Sequence, residues 1–182
     1  MAHLHTEPGQ YDLTVSMYVI STQPEPRLLL HQHKVLHKLM QPGGHVELTE
    51  TPWQCVAHEL VEETGFDLDQ LQILQPMIRP PALPGDVLHP QPICLRSFPY
   101  GSGSTHFHTD LAFGFIADQE PRHPVGPGES DQFVWASRAD LISLSPNATY
   151  EDARTLGVFI IDEILPAWQA IPTAHFSLDT PA

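Results

Sequence analysis

Apolar and polar positions recur along this chain in blocks that predict a sheet interrupted by two amphipathic helices. Tyr11 to Ile20 (YDLTVSMYVI) is β-branched and aromatic with partial alternation, the pattern of a strand. Gln23-Pro24-Glu25-Pro26 reads as a turn, and Arg27 to His33 returns as another strand. The same reading gives strands over Leu71 to Met77, Ile93 to Tyr100, Thr105 to Ala117 and Gln132 to Ala136. Residues 93–100 and 105–117 flank Gly101-Ser102-Gly103-Ser104 as the arms of a hairpin do. Prolines exclude regular structure from residues 79–92, and residues 118–130 read as a second Pro/Gly-rich loop.

The helices have a different period. From Pro52 to about Thr64, Trp53, Val56, Ala57, Leu60 and Thr64 recur at three- and four-residue spacing and form a stripe that can dock on a sheet. The ends are punctuated: Thr51 is an N-cap, Pro52 suits the first helical position, Gln54 completes a T-x-x-Q capping box, and Gly65 fits the position after the last turn. Tyr150 to Leu165 carries Ala153, Leu156, Ile160, Ile161 and Ile164 on one stripe, and Ser137 can cap a short helical turn through Leu141. Pro42-Gly43-Gly44 is expected to break the preceding strand, its glycines supplying positive φ. The expected architecture is one domain over residues 1–182, a mixed sheet between helices, with residues 1–10 and 171–182 as flexible or irregular ends.

Charge narrows the partners. A formal net charge of −14 with only 8 Lys and Arg leaves little to neutralise a polyphosphate backbone, so a nucleic-acid polymer is not expected. A small phosphorylated substrate stays compatible, because a bound cation supplies positive charge locally. Cys55 and Cys94 are too few for a disulfide framework. No apolar run reaches spanning length, and the first residues lack a basic-then-apolar leader, so a cytoplasmic protein without membrane partners is expected. Oligomeric state is not legible in the sequence.

The chemistry concentrates on the first helix. Glu59 precedes Glu62 by three residues and Glu63 by four, so three carboxylates can meet at one side of it, where like charges repel; the spacing alone fits a site or a solvated acidic face. The stretch GHVELTETPWQCVAHELVEETGF, residues 44–66, reads G-x5-E-x7-H-E-L-x-E-E-x-G-F. It resembles the Nudix box, G-x5-E-x7-R-E-U-x-E-E-x-G-U with U apolar, and departs from it at one fixed position, where His58 replaces arginine.

The resemblance implies a Nudix-type α/β/α sandwich and a hydrolase of phosphorus anhydrides. It implies Mg²⁺, or alternatively Mn²⁺, held by Glu59, Glu62, Glu63 and the carbonyl of Gly43. Hard cations of this kind take oxygen ligands and share their shell with water and substrate phosphates. Several members of that family also use a glutamate six residues before a strand tryptophan. Glu129 stands at that distance from Trp135 and is the implied further metal ligand, with Asp131 as its rival, and the implied base toward the attacking water is Glu129 or one of the three helix glutamates. His58 takes the place of an arginine that orients the neighbouring carboxylates. The expected substrate is a nucleoside diphosphate linked to another moiety. The alternatives are an enzyme like isopentenyl diphosphate isomerase and a non-catalytic nucleotide-binding module, which the His58 departure favours.

Other positions carry weaker chemistry. His106, His108 and Asp110 alternate on one strand and share a face that can reach a metal or a phosphate, or can form a polar outer face. His31 and His33 likewise share a face. Gly101 to Ser104 lacks the further residues of either phosphate-loop pattern, and His3 and His5 are assigned no role.

Overall fold

A computed structural model describes residues 7–101, 103 and 105–179. His3, His5, Ser102 and Ser104 lie outside the described residues, as do the last three positions of the expected C-terminal end.

The longest strands, β1 (Tyr11–Ser21) and β7 (Phe107–Ala117), pair in parallel from Tyr11↔Phe107 to Ile20↔Ile116 and form the spine of the sheet. Along one edge of β1 run β2 (Arg27–Gln32) and then β4 (Gly43–His45), both antiparallel to it. β3 (Leu39–Met40) and β8 (Phe133–Ser137) attach to β2. Along the far edge of β7 run β5 (Leu71–Gln75) and β6 (Cys94–Pro99), and β9 (Gln169–Pro172) closes that side on β5. One parallel pair among antiparallel ones makes the sheet mixed.

Both faces are covered. Helix α1 (Pro52–Thr64) packs Trp53, Val56 and Leu60 against Val15, Met17, Val19, Phe113 and Phe115. On the opposite face, α2 (Arg138–Ser143) and α3 (Glu151–Phe159) cover Tyr18, Ile20, Leu28 and Leu30 with Leu141, Leu156 and Ile160. The α3 helix continues through a π-helical turn, Ile160–Ile164, into a last turn, α4 (Leu165–Ala167). This is an α/β/α sandwich.

The punctuation of α1 is as expected: Thr51 and Gln54 form the reciprocal capping box and Gly65 closes the helix at φ 75°. Two expectations are corrected. Gly43 and Gly44 are not a positive-φ turn but lie within β4, and Gly43 is needed because a Cβ there would stand 2.3 Å from the carbonyl oxygen of Val15. Of the expected irregular C-terminal end, residues 171–175 are regular, and among its described residues only 176–179 lack regular structure. Ile171 and Pro172 belong to β9, Phe176 is buried against Trp53, and the Gln54 amide donates to the carbonyl of Leu178 at 2.8 Å. Four residues with one proline carry too little alternation to announce a strand; pairing with β5, about a hundred residues earlier, creates it.

Candidate active site

The capped start of α1 fixes its rotation, and with it which of its carboxylates face inward. Glu59 and Glu63, one turn apart, are buried at 1% and 6% exposure, whereas Glu62 points to solvent. The backbone N–H of Gly43 donates to Glu63 Oε2 at 2.8 Å, so β4 approaches the helix through its first glycine. Both oxygens of Glu59 are buried without a hydrogen-bond donor. His58 Nε2 lies 3.3 Å from Glu59 Oε1, near enough for charge but not aligned for a hydrogen bond.

Burial is the first cause of the electrostatics here. It pushes the Glu59 carboxyl up to about 7, with His58 opposing and Glu62 and Glu129 adding to the rise. Burial likewise raises Glu63, against the Gly43 hydrogen bond, and again Glu59 and Glu129 push upward. Carboxylates held dry and close are costly unless a cation compensates them. The orphaned oxygens of Glu59, with Glu62 and Glu63 one turn on, fit a hard divalent ion.

Glu129 arrives from the loop between β7 and β8. That loop is fastened to the end of α1 by main-chain bonds: Gly126 N–H to the carbonyl of Glu62 at 2.7 Å, and His123 N–H to that of Gly65 at 3.0 Å. Glu129 then donates its own N–H to the carbonyl of Gly126 at 3.1 Å. Its half-buried carboxylate is felt by Glu59, Glu63 and His33. Asp131, two residues on, is exposed.

His58 is gripped from two sides. Its Nδ1 meets Glu50 Oε2 at 2.9 Å, and Glu50 Oε1 accepts the N–H of Glu47 at 2.8 Å. Glu50 is the first fixed glutamate of the box, and sequence reading gave it no role although the spacing named it. The structure pairs the box's substituted position with that glutamate rather than with Glu62. His31 is a second residue given no role: it is buried, its Nε2 lies 3.9 Å from Glu63 Oε2, and burial holds its pKa down to about 4. Its imidazole is therefore neutral near pH 7 and does not balance Glu63.

The remaining candidates divide. Asp110 accepts from Thr14 Oγ1 at 2.9 Å and Ser16 Oγ at 3.0 Å and faces Arg96 at 3.4 Å, which also binds Asp152 at 2.7 Å. His106 and His108 join Asp12 and His45 instead. All three members of the strand triplet are buried, so they are not a polar outer face. Cys94 has Arg96 and Asp110 as its charged neighbours, not the α1 glutamates. The proline-rich loop after β5 lines a groove with His175, Phe176 and Ser177 beyond β9. Among the described residues, no helix is long and apolar enough to cross a membrane.

Comparison with known proteins gives concordant results. A family model described as the NUDIX domain matches residues 10–157. The chain is 27% identical over 162 residues to the NAD-capped RNA hydrolase NudC of Photobacterium profundum, a match that covers 86% of this chain and 48% of that protein. The chain thus spans about half the length of that curated relative. A NUDIX-family hydrolase from Clostridium perfringens superposes with a TM-score of 0.64 at 25% identity, over 83% of this chain and 96% of that one. The NUDIX domain of Shewanella oneidensis NrtR, solved with ADP ribose, superposes with a TM-score of 0.57 at 15% identity, over 81% of this chain and 84% of that one, a likeness of fold.

Proposed function

This chain belongs to the Nudix family, and from that premise we propose that it cleaves the pyrophosphate of a nucleoside diphosphate linked to another moiety, with Mg²⁺ or Mn²⁺. The observation that carries the reading is the dry pair Glu59 and Glu63, whose raised carboxyls and donor-less Glu59 oxygens call for a cation beside the exposed Glu62. The relatives support the substrate class only as analogues, through the ADP ribose and NAD-capped RNA in their descriptions.

In this reading Glu59, Glu62 and Glu63 hold the ion, and the carbonyl of Gly43 adds a ligand. When bound, the ion supplies charge neutralisation of the pyrophosphate and acidifies a coordinated water. The chain does the rest. Glu63 is aimed by the Gly43 N–H, and Glu59 by the His58–Glu50 pair. Glu129 takes a proton from the attacking water, because it is the carboxylate that reaches the cluster from a loop rather than from within it. Glu62, exposed on the outer side, would hold the ion on the side that solvent and substrate can reach.

The test is direct. Chelator-stripped protein is incubated with ADP ribose, NAD, a dinucleoside polyphosphate and nucleoside triphosphates, with Mg²⁺ or Mn²⁺, and the products are separated by chromatography. Metal-dependent release of a nucleoside monophosphate is expected from at least one diphosphate derivative. Absence of any phosphate-bearing product across the panel defeats the reading and leaves the binding-module alternative.

A further inference from the structure

On the other side of β4, residues that the proposed reaction does not use gather into a cluster of a different kind. Asp12 comes from β1, His45 from the end of β4, His106 from just before β7 and His108 from its start. The parallel register sets Asp12 opposite His108, and the antiparallel one sets His45 opposite Thr14, so the three backbones deliver these side chains to one spot. Each of Asp12, His45 and His108 offers a ligand atom, and those atoms lie within 4.8 Å of one another. His45 Nε2 stands 3.5 Å from Asp12 Oδ2, close to the roughly 3.4 Å that separates neighbouring donors around a tetrahedral ion with bonds near 2.0–2.1 Å.

We propose that Asp12, His45 and His108 form a second, separate metal site, selective for a borderline transition ion of the Zn²⁺ class. Imidazole nitrogens with one carboxylate suit such an ion, whereas Mg²⁺ takes oxygen donors. An anion is disfavoured by the Asp12 carboxylate, whose side chain is 0% exposed in the middle of the group. His106 serves as the support of that carboxylate, its Nε2 3.3 Å from Asp12 Oδ2. The ring of Tyr100 stacks on His108 at 4.7 Å and holds its plane. An ion there clips β4 to β1 and β7, two residues from Gly43, whose N–H aims Glu63.

Co²⁺ replaces Zn²⁺ in such sites and reports its ligands by visible absorption. Stripped full-length protein should develop an intense d–d band of tetrahedral Co²⁺, the readout of uptake, that saturates at about one equivalent of that site and is displaced by Zn²⁺, weakly absorbing Co²⁺ at the carboxylates apart, and Zn²⁺ should raise Tm. His45→Asn and His108→Asn should each weaken uptake by about a hundredfold or more, while Glu62→Gln leaves it intact. His45 is half-buried, so His45→Asn decides the matter if His108→Asn does not fold, as judged by circular dichroism. Four results each overturn the site: no Co²⁺ uptake, uptake indifferent to His45→Asn, loss with Glu62→Gln, or loss with a His3→Ala/His5→Ala double variant alone. A thiolate charge-transfer band also overturns it, since the ion then sits at Glu50, Cys55 and His58, the other group of donors within 4.8 Å.

Discussion

Gly43 and His45 sit two residues apart on one short strand, yet they open onto regions of opposite character. At the Gly43 end the neighbours are carboxylates, with one exposed member, Glu62, and one on a loop, Glu129. At the His45 end nitrogen donors surround a single carboxylate, with His106 and His108 buried. Oxygen donors with an open side suit a hard ion that exchanges its water for substrate phosphate. Nitrogen donors in a covered place suit an ion that stays. On the two proposals above, the strand between them would separate a working charge from a fastening one, and the experiments below strain that division.

The largest effect is expected from Glu62→Gln. Removing this proposed ligand of the hard ion should cut kcat about a hundredfold or more at saturating substrate and Mg²⁺, with Tm unchanged because the side chain is exposed. Undiminished turnover would move the working charge off α1. Next comes Glu129→Gln, with a loss of about a hundredfold in kcat, against no more than about twofold for Asp131→Asn. The reverse ranking hands the role to Asp131; equal small losses return the base to the helix.

A smaller effect, of about 2 kcal/mol, is expected in stability. In metal-free protein the Glu59 carboxyl is raised from 4.5 to about 7, so the folded state is favoured below 4.5 and loses that advantage as pH climbs through 7. Denaturant melts of wild type and Glu59→Gln should therefore diverge between pH 5 and 8, wild type falling, and Mg²⁺ should close the gap. Parallel curves would mean that this end of the strand carries no uncompensated charge. The smallest effect concerns aim. His58→Ala and Glu50→Gln should each lower kcat/KM about tenfold, the double variant little further, and His58→Arg should keep most activity. Fully additive losses would show that the two residues act apart.

How far this was legible in the sequence differs between the two regions for a physical reason. The carboxylate end is built mainly from one helix, and local rules read it well: Thr51, Gln54 and Gly65 stand in the cap positions their types predict. The histidine end is assembled by register between strands far apart in the chain, so alternation showed that His106, His108 and Asp110 share a face but not what covers it. Nor did it show that Asp110 would be drawn off to Arg96 while the histidines turned to Asp12. At Gly43 the residue type was informative and the inference from it was not. Glycine can answer to a torsion or to a close approach, and only the neighbouring Val15 carbonyl tells which. The strand at Gln169–Pro172 has the same origin, being defined by its partner more than by its own residues.

The loop that brings Glu129 to α1 is fastened to Asp67, just past that helix, by the side chains of Arg122 and His123, but its ties to the end of α1 itself are main-chain groups at His123 and Gly126. Anchors of that sort are blind to residue type but sensitive to count. Arg122, His123 and the positive-φ Gly128 are constrained in type as well, and one residue inserted between Gly126 and Glu129 would swing the carboxylate off its mark. Among relatives of this chain, the imprint to seek in this segment is a conserved spacing from Gly126 to Glu129.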